Sequence, residues 1–340
     1  MLIDVDTWMP TFIPLRYDSP EAVDEINRNR RDFFNQLKGV FVKLCPNLVH
    51  IEIGTSIPNE KALKLLSDRS FISGLNVCEY YLLHARVEVD LSDIRMSDGS
   101  KVEDIFYYGE AIECVNDALS EALILSEIAY PGSIAVLDRL SLANDQARFY
   151  GRKDTFYSLL VPEEFTPSWP PLEKFPLESV YYWSKEHSFF EQAYGCTRIS
   201  RALAAFSHVV GLGASREGEV LFRAMQGLEA FYSDGTGDLR RQLSEKIEIW
   251  LGEWPEKKNI IGHLYDARSK FVHGSSPLIY WNVKNDPWKE DKKSRYKFEY
   301  SMELSVRLLI ATLQECIKGA VNEINWTYSV ETLKFDRTGL

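Results

Sequence analysis

Leu264-Tyr-Asp-Ala-Arg268-Ser-Lys-Phe-Val-His273-Gly274 is the stretch from which the rest of the chain can be read. Ile260, Leu264, Ala267 and Phe271 fall at i, i+4, i+7 and i+11, the spacing of one apolar stripe on a helix, and they predict a helix over 257–273. Arg268 lies at the edge of that stripe, one turn beyond Leu264. His273 falls in the last turn, directly before a glycine suited to the left-handed position that closes a helix, and Pro277 follows as a stop. One helix end thus carries a fixed cation and a side chain able to move protons near neutral pH.

The same periodicity continues in both directions. Helices are predicted over 178–192, 195–211, 216–232, 238–251 and 298–325. Turn chemistry marks most of the breaks: Asp234-Gly-Thr-Gly-Asp238 ends one helix and offers Asp238 as the N-cap of the next, which Gly252 and Pro255 close. Upstream, residues 161–181 hold five prolines, which rule out a continuous helix there. The front of the chain reads differently. Helices are predicted over 20–44, 59–68 and 103–130, strands over 49–53 and 85–94 from their alternation, and another strand over 133–142. The expected fold class is α+β: a mixed α/β domain over 1–160, a proline-rich linker over 161–177, and an all-α bundle over 178–340 with its core at about 195–325.

Composition bounds the function. Hydrophobic residues make up 45% of the 340, enough for packed cores, and no apolar run reaches the roughly 18 residues of a membrane helix. Acids at Asp4 and Asp6 oppose a secretory signal, and five scattered cysteines without a CxxC suggest reduced thiols, so a cytoplasmic protein is expected. The net charge of −11 opposes nucleic-acid binding at face value. Its distribution does not: residues 1–150 hold 14 Lys+Arg against 24 Asp+Glu, whereas residues 201–340 hold 20 against 19. The acidity belongs to the front, and the back is free to present a basic surface. The spacing at Gly211-Leu-Gly213 does not fit a dinucleotide loop, and the remaining histidines form no metal-ligand cluster.

Arginine, four residues, then histidine at a helix end resembles the R-x(4–6)-H motif of the HEPN superfamily. The string YDARSKFVHG at 265–274 is similar to the signature of the Apea-like HEPN branch. Two upstream segments extend the resemblance: residues 221–232, with Leu228-Glu229, resemble that branch's second helix, and residues 239–247 its third. The resemblance covers about 130 residues and is carried by the ordered set of helices rather than by the common two-residue spacing. It implies a ribonuclease built at a symmetric dimer interface, needing neither metal nor other cofactor, and a place among toxins or antiphage defence effectors. RNA is then the substrate, a second copy the partner, and the acidic front domain a regulatory unit open to its own partner or ligand.

Arg268 and His273 are the catalytic candidates, with Glu229 expected to orient Arg268 from the facing helix, and Ser269 and Asp266 as polar support. Tyr265 is read as core. Lys270 could meet phosphate. Residues 275–297 interleave Tyr280, Trp281, Trp288 and Tyr296 with Lys284, Lys289, Lys292, Lys293, Arg295 and Lys297, a composition suited to stacking on unpaired bases; Lys284, Trp288, Lys292, Lys293 and Arg295 are the RNA-contact candidates. Plainer readings stand beside these: an ordinary ion pair of Arg268 with Asp266 or Glu229, a histidine that merely caps its helix, and a solvated flap. A non-catalytic module binding RNA, nucleotide or protein is the alternative function. Geometry adds a condition, because i and i+5 on an ideal helix are about 140° apart in azimuth and ~7.5 Å apart along the axis. Arg268 and His273 meet only through a loosened last turn or across a two-fold dimer.

Overall fold

A computed structural model of the chain describes residues 1–12, 20–68, 77–94, 97, 100, 102–136, 138–151, 159, 167–212, 217–235, 237–255, 259–275 and 292–327, with the backbone alone at 212, 217 and 292–295. The fold is mixed α+β, with an antiparallel five-stranded sheet near the N-terminus and helices dominating the C-terminal part. The front elements are β1 (Leu2–Phe12), α1 (Pro20–Leu44), β2 (Leu48–Thr55), α2 (Glu60–Ser67), β3 (Val77–Glu88), α3 (Asp104–Ala129), β4 (Arg139–Ala143) and β5 (Gln146–Tyr150). Then come α4 (Leu177–Glu186), α5 (Arg198–Leu212), α6 (Glu217–Tyr232), α7 (Leu239–Leu251), α8 (Ile260–Val272) and α9 (Lys292–Lys318).

The strands lie in the order β2-β3-β1-β4-β5. On β1, Ile3, Val5 and Met9 are buried in the main core, while Trp8 on the opposite face joins Ala62, Leu66, Leu140 and Leu142 under α2. The two-residue period of a strand assigns these faces. Polar residues on the core side bond one another: Thr7 Oγ1 and Ser141 Oγ are 2.9 Å apart, and Asn116 donates to Ser141 Oγ at 2.6 Å. α1 buries Ile26, Phe33, Leu37, Val40 and Phe41 at helical spacing, with Pro20 at its first position, where a missing N–H costs nothing.

α3 is buried over most of its circumference and packs against α1 and the sheet as well as α4, α5 and α9. A helix apolar all round belongs in an interior, and α3 lies where the two halves meet. Main-chain and side-chain bonds fasten the proline-rich stretch at the same place. Gln314 of α9 donates to Ile128 O and Glu173 O, both at 2.8 Å, and accepts from Glu173 N at 3.0 Å. Phe175 N reaches Ala129 O at 3.0 Å, and buried Arg307 donates to the carbonyls of Leu159, Ser168 and Pro170. Residues 161–166 lie outside the described residues.

Several expected elements shift. β1 was not expected and is the middle strand of the sheet, while β5 adds a hairpin after β4. β3 starts at Val77 and ends at Glu88, ahead of the expected 85–94, and β4 begins only at Arg139, because residues 131–133 form a turn with Gly132 at φ +72°. α4 stops at Glu186, where Ser188 and Phe190 take left-handed backbone, and α9 runs over Lys292–Lys318 rather than 298–325. Asp238 does not cap α7 with its side chain. It sits at φ 51°, and its carboxylate accepts from Arg241 Nε at 2.5 Å instead.

Candidate functional site

α6 and α8 run antiparallel in contact, and three steps of that contact place the candidate residues. At the first step the ring of Phe271 occupies the space beside Gly218, so close that a Cβ there would lie 1.9 Å from Phe271 Cε2. At the second, Arg268 Cζ lies 5.6 Å from the centre of the Phe222 ring. At the third, Tyr265 Oη donates to Glu229 Oε1 at 2.8 Å. Residues 218, 222 and 229 are spaced by four and seven along α6, while 271, 268 and 265 step back by three along α8. Both spacings keep side chains on one helix face.

Glu229 divides its carboxylate between two groups. Oε1 takes the Tyr265 hydroxyl, and Oε2 lies 3.8 Å from Arg268 Nη2. That ion pair is long, with 28% and 19% of the two side chains exposed, and a pair in such a setting contributes about 0–1 kcal/mol. It aims the guanidinium without locking it. Arg268 Nε is buried and has no hydrogen-bond partner among the described residues. Burial, followed by the neighbouring Glu229 carboxylate, pushes the Tyr265 hydroxyl well above the usual phenol range, which favours the protonated form that donates to Glu229.

The end of α8 is a Schellman closure. Ser275 N bonds Lys270 O at 2.8 Å, Gly274 N bonds Phe271 O at 3.2 Å, and Gly274 has φ +67°, the left-handed backbone that favours glycine. His273 is the capping residue at φ −89° and ψ 7°, and its N–H still bonds Ser269 O at 3.0 Å. The last turn therefore stays wound up to His273, whose side chain is exposed. The helical azimuth between Arg268 and His273 persists, so one chain does not bring the two groups to one point.

The structure brings Glu229 and Arg268 together as expected and adds two residues that were not expected. Tyr265, read as core, is a half-buried hydrogen-bond donor of the site, and Phe222 forms the floor under Arg268. The sequence signal was the spacing: Tyr265 precedes Arg268 by three, and Phe222 precedes Glu229 by seven. Asp266 and Lys270 are exposed and Ser269 is half-buried. Among the described residues none of these three makes a side-chain hydrogen bond or ion pair with Arg268, Glu229 or Tyr265. Lys284 and Trp288 lie outside the described residues, as do the side chains of Lys292, Lys293 and Arg295. Among the described residues no group of three or more His, Cys, Asp or Glu is placed to hold a metal ion, and no helix is long and apolar enough to cross a membrane.

Polar contacts tie the neighbouring helices together. Lys246 of α7 is buried and donates to Tyr232 O at 2.7 Å and to Asp234, which also meets Arg198 of α5. Lys246, followed by Arg198, holds the Asp234 carboxyl below the usual carboxylate range. Tyr232 Oη and Thr312 Oγ1 are 2.8 Å apart, tying α6 to α9. No family model, curated protein or solved structure matches the chain.

Proposed function

We propose that the chain is a metal-independent endoribonuclease of the HEPN type, working through Arg268 and His273 at the end of α8. The observation that carries this reading is the pairing of settings on one helix. Arg268 is aimed by Glu229 and Tyr265 yet only loosely held, and five residues on, the exposed His273 closes the helix. RNA cleavage through its own 2′-OH needs these two capacities. The 2′-oxygen attacks phosphorus, the P–O5′ bond breaks, one proton leaves O2′ and another reaches O5′. Histidine suits both proton transfers, and a planar guanidinium suits the charge that develops on the phosphoryl oxygens. The products are a 2′,3′-cyclic phosphate and a 5′-OH.

Two proton transfers call for two groups, and each chain supplies one histidine at this helix end. A two-fold pair of α8 ends would place two histidines and two arginines around one cleft, which also resolves the unfavourable azimuth within one chain. The homodimer is therefore part of the proposed mechanism. Lys270 and the basic aromatic segment 275–297 would line the approach of the RNA. Residues 1–160 would regulate the activity, and growth arrest as a toxin or antiphage effector in the cytoplasm is the corresponding role.

A second reading has its own support. Glu229 already gives Arg268 a counter-charge within the chain, as in a helical module that binds RNA, nucleotide or a protein partner without cutting. Incubating labelled structured RNA with the full chain in EDTA separates the two. Cleavage with cyclic-phosphate ends, absent in Arg268→Ala, is the expected result. Binding without cleavage by the wild type would favour the second reading.

A further inference from the structure

β2 lies at one end of the strand order, hydrogen-bonded to β3 alone among the described strands. Its outward side chains are open: Val49 is 56% exposed, and the His50 and Glu52 side chains are 50% and 71% exposed. Natural sheets usually blunt such an edge with lysine, proline or a bulge. Leu48-Val-His-Ile51-Glu-Ile-Gly-Thr55 contains no lysine or proline; its register irregularity falls at Val49, and 50–55 pair with β3 without a break.

The order of residues on this edge is self-complementary. A second β2 laid antiparallel about a two-fold axis at Ile51 brings Ile51 opposite itself and His50 opposite Glu52, the latter pair occurring twice. The central apolar residue meets its own copy, and each imidazole meets a carboxylate. Within one chain His50 Nε2 already lies 3.2 Å from Glu52 Oε1, so the two groups share a face and can exchange that contact for the equivalent one across the axis. Shifting the register by one residue would set apolar side chains against polar ones along the whole edge. A two-fold axis requires this isologous matching of a surface to itself.

We propose that β2 is a self-association edge, pairing antiparallel with β2 of a second copy about Ile51 and joining two five-stranded sheets into one of ten strands. This surface lies in the front half, on different elements from α8, and the proposal is independent of any nuclease activity. A front-half contact would let the acidic domain set the chain's assembly state separately from the helical domain.

Sedimentation of the full chain over a concentration series tests it, using exposed residues whose replacement leaves the core intact. His50→Glu sets carboxylate against carboxylate twice, and Glu52→Lys removes both acceptors. Cross-strand pairs are sensitive to such changes, and each single variant is expected to weaken self-association by about tenfold or more. The double variant His50→Glu/Glu52→Lys restores opposite charges across the axis and is expected to recover association. A wild type that stays monomeric at the highest attainable concentration overturns the proposal. So does self-association unchanged in both single variants, which would place the contact elsewhere, as on α8. A monomeric wild type would also remove the two-fold pair of α8 ends, whereas unchanged association in both single variants overturns the β2 contact alone; cleavage in EDTA is read separately.

Discussion

Arg307 and Arg268 both sit on helices of the C-terminal part, and their surroundings differ in kind. Arg307, 3% exposed, donates through its two terminal nitrogens to three backbone carbonyls and binds the proline-rich stretch to α9, its Nε having no partner among the described residues; burial pulls its pKa down to about 10. Arg268 is partly exposed, touches one carboxylate at 3.8 Å, and lies over an aromatic ring. The seam around Arg307 resembles the Thr7–Ser141–Asn116 group of the sheet, where buried polar side chains bond other groups of the fold. A polar group spent mainly on the fold's own atoms contributes to shape. One held loosely at a surface keeps capacity for a ligand. The difference is what singles out Arg268 as the candidate for a functional arginine.

The comparison breaks first if Arg307 proves dispensable. Arg307→Ala leaves buried carbonyls unpaired and should cost more than about 3 kcal/mol of unfolding free energy, read from urea titration. Gly218→Ala comes next: the added methyl meets Phe271 and must push α8 away from α6, at about 1–3 kcal/mol. Because Arg268 travels with α8, RNA cleavage should fall further than stability does. Tyr265→Phe removes the donor to Glu229 and keeps the ring. The expected cost is about 1 kcal/mol with roughly tenfold slower cleavage, and full activity would show that Glu229 aims Arg268 alone.

The smallest effect is at acid pH. Asp234 has its pKa lowered by folding, so its contribution is present above the ordinary value of 3.8 and is lost as pH falls through the lower folded value. With 37% of the side chain exposed, that contribution should stay below about 1 kcal/mol, and Asp234→Asn should flatten the stability profile only in that window.

How far the sequence disclosed all this follows the same division. α6, α7 and α8 were legible because periodic apolar stripes and glycine closures act locally, and α2 was legible as a short helix, although its Asn59 cap was not singled out. β1 was not. Asp4 and Asp6 were read only as opposing a secretory signal, yet Asp4 is paired with Arg86 and Pro10 lies opposite Tyr80, contacts supplied by a strand more than seventy residues away. The ends of α4 and α9 were lost to left-handed residues such as Phe190 and Ala320, types that do not announce a turn. At the site, Arg268 and Glu229 could be paired from their helices. The role of Tyr265 could not, because a tyrosine at an apolar helix position becomes a donor only once the facing helix places a carboxylate within reach.

The most direct measurement takes unfolding free energy and RNA cleavage rate from one preparation of His273→Ala. His273 is exposed and follows a helix closed by backbone bonds, so stability should change by less than about 0.5 kcal/mol. Cleavage in EDTA should fall by ~10²–10⁴-fold. Equal cleavage in wild type and variant, or a loss of activity that only tracks a loss of folding, would contradict the account.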